Sequence, residues 1–337
     1  MDYQTLWFIL IAVLFTGYFV LEGFDFGVGI LLPFLAKDDI PRRTIINTIG
    51  PHWDGNEVWL ITAGGAMFAA FPHWYATLFS GFYMLLFLIL IGLIFRGVAF
   101  EFRSKDEAPA WRSFWDWSIF FGSLIPAFFW GVAFANIVRG VPIDQNMMYT
   151  GGFWNLLSPY SILAGVTSLL IFSMHGAMFL LLKINGSIIS KIHQAATGLW
   201  MLVFLALVGL VIYTYFATDL IKPGTVAFTL SFLSLISLFL AGWFNRIKKQ
   251  GWSFIFTSLT IVFVTVTMFS GMFPRVMISS LNPEWTMTIF NSSSGPMTLR
   301  VLSIIALIFV PLVLLYQGWS YWIFRKRITS DPQHLEY

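Results

Sequence analysis

The chain has 337 residues, of which 58% are hydrophobic, 19% aromatic and only 10% charged, and its mean hydropathy is +0.79. Soluble domains carry about 25% charged residues, so a soluble fold is excluded, while the absence of cysteine excludes a disulfide framework, a thiolate metal site, an iron–sulfur cluster and covalently attached c-type haem. A net charge of +3 is too small to indicate nucleic acid as a partner.

The apolar residues come in runs of about 20, the length that crosses a hydrocarbon core as a helix, and not in the alternating pattern of membrane strands. An all-α polytopic membrane protein follows, read as one integral membrane domain over 1–337. About nine spans are expected: 5–33, 56–72, 77–98, 117–138, 160–183, 197–217, 224–243, 252–272 and 300–324. The first is a retained span, because it lacks a basic leader and is too long for a signal sequence. The second is short and rich in small residues, Ala63 to Ala66, but charge supports it. With nine spans, fifteen of the 19 basic residues fall on one side, including Lys37, Arg42, Arg43, Arg96, Arg103, Lys105 and Arg112. Only Arg139, Lys222, Arg275 and Arg300 fall on the other. The positive-inside rule then places the N-terminus outside and the C-terminus in the cytoplasm. The longest connection, 273–299, lies outside and is too short for a soluble domain.

Ionisable residues inside spans are costly unless paired or hydrated, so each is a candidate for function. In the first span, the helical turn sets Tyr18, Glu22, Asp25 and Gly29 on one face, and Gly23 and Gly27 at the spacing that lets another helix approach closely. At the start of the second, Asp54 and Glu57 have the spacing of a capping box, beside His52, Trp53 and Asn56. Arg96 and Glu101 close the third span and Asp116 opens the fourth. Arg96 is expected to snorkel to the interface or to pair with one of these acids. Spans one to four could thus gather the acids at one cytoplasm-facing entrance. Of the five histidines, only His175 lies within a span, and a lone imidazole is more readily satisfied by a neighbouring helix than by a haem iron. Trp53, Trp59, Trp74, Trp111, Trp115, Trp117, Trp319 and Trp322 sit near span ends, where indoles anchor at headgroup depth.

The stretch Glu22-Gly-Phe-Asp-Phe-Gly-Val-Gly29, the block Pro51-His-Trp-Asp-Gly-Asn-Glu-Val-Trp59 with its continuation to Gly65, and Phe100 to Lys105 with Trp115-Asp116-Trp117 closely resemble subunit II of the cytochrome bd-type quinol oxidases. Weaker matches run through Phe273-Pro274-Arg275 to Gly318-Trp319, covering the whole chain. The resemblance implies two four-helix bundles plus a peripheral helix, in a bacterial or archaeal cytoplasmic membrane. It implies an obligate heterodimer with subunit I, which carries the quinol site and axially ligates two haems b and one haem d while oxygen is reduced to water. A small accessory subunit joins some such complexes, and some members hold a structural quinone in subunit II. The chain alone is not expected to be catalytic. The resemblance also assigns a proton path to Asp25, Asp54 and Glu101, with Trp53 and Asn56 in support; Glu22, Glu57 and Asp116 join them as supporting candidates by their place among the cytoplasmic acids, and Glu101, nearer bulk water, is expected to matter less than Asp25 and Asp54. Well-known members have Asp in place of Glu101 and Gln in place of Glu57. The rival reading, a proton-coupled secondary transporter, would need broken helices in corresponding positions of two halves, whereas the acids crowd into the first half.

Overall fold

The computed structural model describes residues 2–186, 188–329 and 335. Eleven α-helices follow in chain order: α1 (Tyr3–Leu35), α2 (Asp39–Ile49), α3 (Trp53–Ala70), α4 (Pro72–Gly81), α5 (Tyr83–Phe102), α6 (Pro109–Arg139), α7 (Pro159–Lys183), α8 (Ile189–Ala217), α9 (Val226–Arg246), α10 (Gln250–Met272) and α11 (Pro296–Ile323). Their ends follow local chemistry. Asp2 caps α1 by accepting the Thr5 N–H at 2.6 Å, and Ser158 and Thr225 cap α7 and α9 in the same way. Proline occupies the first position of α4, α6, α7 and α11, where its missing N–H costs nothing.

Eight of these helices, α1 and α5 to α11, are long and apolar enough to cross a membrane. The expected span 56–72 forms as α3 but falls outside that set, because Asp54, Asn56 and Glu57 load its first turn. Its two ends nevertheless lie beside the two ends of α11. Asn56 meets Gln317 and Tyr321, while the Ala69 and Ala70 carbonyls accept hydrogen bonds from Ser294, just ahead of α11. The expected span 77–98 is divided: Pro72 starts the short helix α4, and the long helix begins only after Phe82.

Helices α1, α3, α5 and α6 form one group and α7 to α10 a second, joined where α7 packs on α1 and α6, with α11 at the periphery against α3 and α1. The joint is tight because glycines meet. A Cβ on Gly27 would stand 1.9 Å from the Phe172 carbonyl oxygen and 2.8 Å from the backbone of Gly176, so side chains are excluded on both helices. The close approach expected from Gly23 and Gly27 is therefore made to α7.

The connection after α10 carries a ribbon of β1 (Arg275–Met277) antiparallel to β2 (Met287–Thr288), strands too short for alternation to announce them. At the opposite end of the helices α2 buries Ile45, Ile46 and Ile49 beneath a polar face. Trp117, Trp319 and Trp322 are exposed as interfacial anchors should be, but Trp74 and Trp115 are buried, so position near a span end did not decide their role.

Candidate functional site

A cluster of buried ionisable side chains lies where α1, α3, α5 and α11 meet, in the C-terminal half of α1. Glu22 and Asp25 stand one turn apart on α1 and both are fully buried. Asn56, in the first turn of α3, reaches them across the interface and donates from Nδ2 to Asp25 Oδ2 at 2.6 Å and to the Leu21 carbonyl at 3.3 Å. Its Oδ1 accepts from the Tyr321 hydroxyl at 2.8 Å and from Gln317 Nε2 at 3.1 Å. Two donors on α11 thus fix which end of the amide faces Asp25.

Arg96 of α5 supplies the cation. Its Nη2 donates both to Glu22 Oε1 and to Glu57 Oε1, the latter at 2.5 Å, and the guanidinium lies over the Phe26 ring at 4.7 Å. Arg96 is completely buried, so it does not snorkel, and its partners are Glu22 and Glu57, not Glu101 or Asp116. It therefore leaves the set of loop cations. Four buried atoms here have no protein partner: Glu22 Oε2, Asp25 Oδ1, Arg96 Nε and Arg96 Nη1.

Asp116 belongs to a different group. It accepts from Arg42 at 2.7 Å and from Arg103 Nε at 2.6 Å, while Arg103 and Arg112 also reach Asp39 at 2.9 and 2.8 Å. This chain of ion pairs ties α2 to the α5–α6 connection. Asp54 and Glu101 are exposed and join neither group. No cap is formed by Asp54: the residue ahead of α3 is His52, whose side chain makes no capping hydrogen bond, so the capping-box reading is corrected. Trp53 packs on Phe100 at 5.3 Å between centroids. The single entrance expected from the sequence is thus resolved into a buried cluster, an ion-pair network between α2 and the α5–α6 connection, and two surface acids.

Two histidines complete the site. His52 is buried just before α3, its ring stacked on Tyr321 at 4.3 Å, and burial together with the charge of Lys183 holds its pKa down at about 4. His175 is fully engaged: Nδ1 bonds the Thr257 hydroxyl at 2.7 Å and Nε2 the Val20 carbonyl oxygen at 3.0 Å, leaving neither nitrogen for an iron. His334 lies outside the described residues. Gln317 and Tyr321 did not enter the sequence reading, yet Gln317 carried a signal, being the one amide or charged residue between Arg300 and Arg325.

A separate cavity of about 620 Å³ opens between α3, α4, α5 and α6, lined by residues such as Leu60, Phe68, Tyr75, Phe87 and Trp130. Its wall includes the buried Trp74, whose Nε1 has no partner.

A profile of cytochrome bd terminal oxidase subunit II matches residues 3–324. The chain belongs to that family. It is 46% identical over 325 residues to cytochrome bd ubiquinol oxidase subunit 2 of Bacillus subtilis, covering 96% of each chain. It is 38% identical to cytochrome bd-I ubiquinol oxidase subunit 2 of Escherichia coli K12, covering 98% of this chain and 97% of that one. The solved bd oxidase from Geobacillus thermodenitrificans shares the fold, with a TM-score of 0.75 over 95% of this chain and 99% of that chain at 16% identity.

Proposed function

We propose that this chain is the second subunit of a quinol-oxidising, oxygen-reducing terminal oxidase of the cytoplasmic membrane, where it pairs with a haem-bearing subunit I and conducts cytoplasmic protons toward the oxygen site. Family membership supports the assembly. The observation that carries the proton role is Asp25: a fully buried carboxyl, held by Asn56 on one oxygen and left on the other with no partner but the neighbouring Glu22 carboxyl, one turn from the Glu22–Arg96–Glu57 group. A purely structural acid has its partners complete, whereas one that must exchange protons keeps an open position. Asp54 and Glu101, being exposed, suit collection of protons at the surface, not transfer through the interior.

Haem, when bound, carries the electrons between quinol and oxygen. An axially ligated haem does not fit this chain, because both nitrogens of its one intramembrane histidine are taken. Two haems b and one haem d are accordingly assigned to subunit I. A structural quinone does fit. The cavity beside Trp74 offers apolar walls and aromatic rings against which a quinone ring would pack. A small accessory subunit, if it joins the complex, would sit on the lipid-facing surface.

The transporter reading finds no support. Helices α7 to α10 carry no Asp or Glu, so the second group has no counterpart of the α1–α3–α5 cluster.

The test is Asp25→Asn in the intact complex. The amide keeps the shape and the bond to Asn56 while abolishing titration. The expected outcome is a normal haem spectrum with oxygen uptake per haem reduced about a hundredfold, the scale of a lost acid–base group. Turnover equal to the parent complex would refute the proton role.

A further inference from the structure

The cluster contains a third carboxylate, Glu57, and its position gives it work. Asp54, Glu57 and Glu22 form a series of falling exposure: Asp54 is exposed, the Glu57 side chain is 21% exposed and that of Glu22 is sealed. Asp54 and Glu57 are three residues apart, on one side of the first turn of α3. Glu57 and Glu22 come from different helices yet meet at the same nitrogen, Arg96 Nη2. Glu57 is therefore the one acid that touches both the surface and the buried group.

We propose that Glu57 is a relay carboxylate, a second entry into the proton path that runs beside Asp54 and delivers through the Glu22–Arg96 pair to Asp25. The inference rests on the proton-conducting reading above. Charge balance is the first argument. Glu22, Asp25 and Glu57 face one guanidinium, and the remaining titratable neighbours, Tyr18 of α1, Tyr321 of α11 and the buried His52 stacked on it, add no cation at neutral pH. Uncompensated charge in such a place costs several kcal/mol, so the cluster is stable when it holds transferable protons. The second argument is the set of unpartnered atoms. Glu22 Oε2 and Asp25 Oδ1 are both buried without a protein donor on neighbouring carboxyls one turn apart, and a proton shared between the two acids supplies the partner each lacks.

The step balances simply. A proton from cytoplasmic water adds to the Glu57 carboxylate. The resulting acid gives a proton to Glu22, whose carboxyl meets it at the same Arg96 nitrogen, and Glu57 returns to its anion for the next. Glu22 hands the proton to Asp25. Arg96 stays protonated throughout and keeps Glu57 turned inward.

Non-additivity tests this in the intact complex, with Glu57→Gln, Asp54→Asn and their combination measured as oxygen uptake per haem, beside Asp25→Asn. With two parallel entries, each single variant is expected to lose about threefold, whereas the double variant, with both closed, loses about a hundredfold and not the product of the two. Millimolar formate, a small proton carrier, should restore part of the double variant's rate. A double variant no slower than the product overturns the relay, and if Asp25→Asn is inactive the path itself stands. An active Asp25→Asn overturns both. Should haem content of the double variant fall, Glu57→Gln alone decides: a solvent deuterium isotope effect above the parent's is expected, and an unchanged one overturns the relay.

Discussion

Arg96 shows at the scale of one residue how tertiary structure assigns a partner that sequence cannot. Near the end of an apolar run, an arginine reads as a snorkelling anchor, and the acids close in sequence, Glu101 and Asp116, read as its partners. Its real partners, Glu22 and Glu57, are 74 and 39 residues away and become neighbours only when three helices pack. Asp25 and Glu22 were legible for the opposite reason, since a carboxyl in a 29-residue apolar stretch stands out without knowledge of contacts. Arg96→Leu should destabilise the complex by about 3–5 kcal/mol, because it strands buried carboxylates. Adding Glu22→Leu should recover part of the loss, as measured by the thermal midpoint of the purified complex. His52 gives a pH signature with a definite sign. Its folded pKa of about 4 lies below the ordinary 6.5, so between these values the unfolded chain binds a proton that the folded one does not, and stability falls as pH drops from 6.5 toward 4. The slope from this group is at most about 1.4 kcal/mol per pH unit. Replacing it with Phe, which keeps the stack on Tyr321, should flatten the melting profile in that window. An unchanged profile would show that His52 is not its source.

Elements were legible wherever composition alone defines them. The long apolar helices appear close to the expected bounds, since burial in lipid and a satisfied backbone leave them few alternatives. The amphipathic α2 and the bend at Phe82 were not legible, because polarity hides the first and one proline, Pro72, sets up the second. The union of α1 with α7 was half legible: glycine spacing announced a close approach but could not name the helix that makes it. Gly27→Val would drive its side chain into the Phe172 carbonyl and the Gly176 backbone, neither of which can move aside. Assembled complex should fall severely, since even ordinary overpacking costs about 1–3 kcal/mol. Gly209→Ala, where nothing lies within 4 Å, should leave the yield intact. Equal yields from both would mean the α1–α7 contact does not hold the two groups together.

Across the whole molecule, α3 decides how the chain is threaded. With Asp54, Asn56 and Glu57 in its first turn it is not apolar enough to stand among the eight long helices, but a segment that starts beside Tyr321 and ends beside Ser294 covers the distance between the two ends of α11. At 18 residues it is about 27 Å long, close to the roughly 30 Å of a hydrocarbon core. Its polar first turn is tolerated because Asn56 and Glu57 face α1, α5 and α11 instead of lipid. The charge distribution leads to the same threading, since without this crossing the basic residues before α3 and after it would fall on opposite sides. The absence of native cysteine allows a clean measurement. Lys37, Lys249 and Glu284 are exposed and lie in three different connections. With α3 crossing, six passes separate residue 37 from 249, so Lys37→Cys and Lys249→Cys should both react with a membrane-impermeant maleimide only in inside-out vesicles, and Glu284→Cys only in right-side-out ones. If α3 does not cross, the count between the two lysines becomes odd and their cysteines must label from opposite sides. That outcome would remove the ninth span and, with it, the cytoplasmic access that Glu57 and Asp54 require.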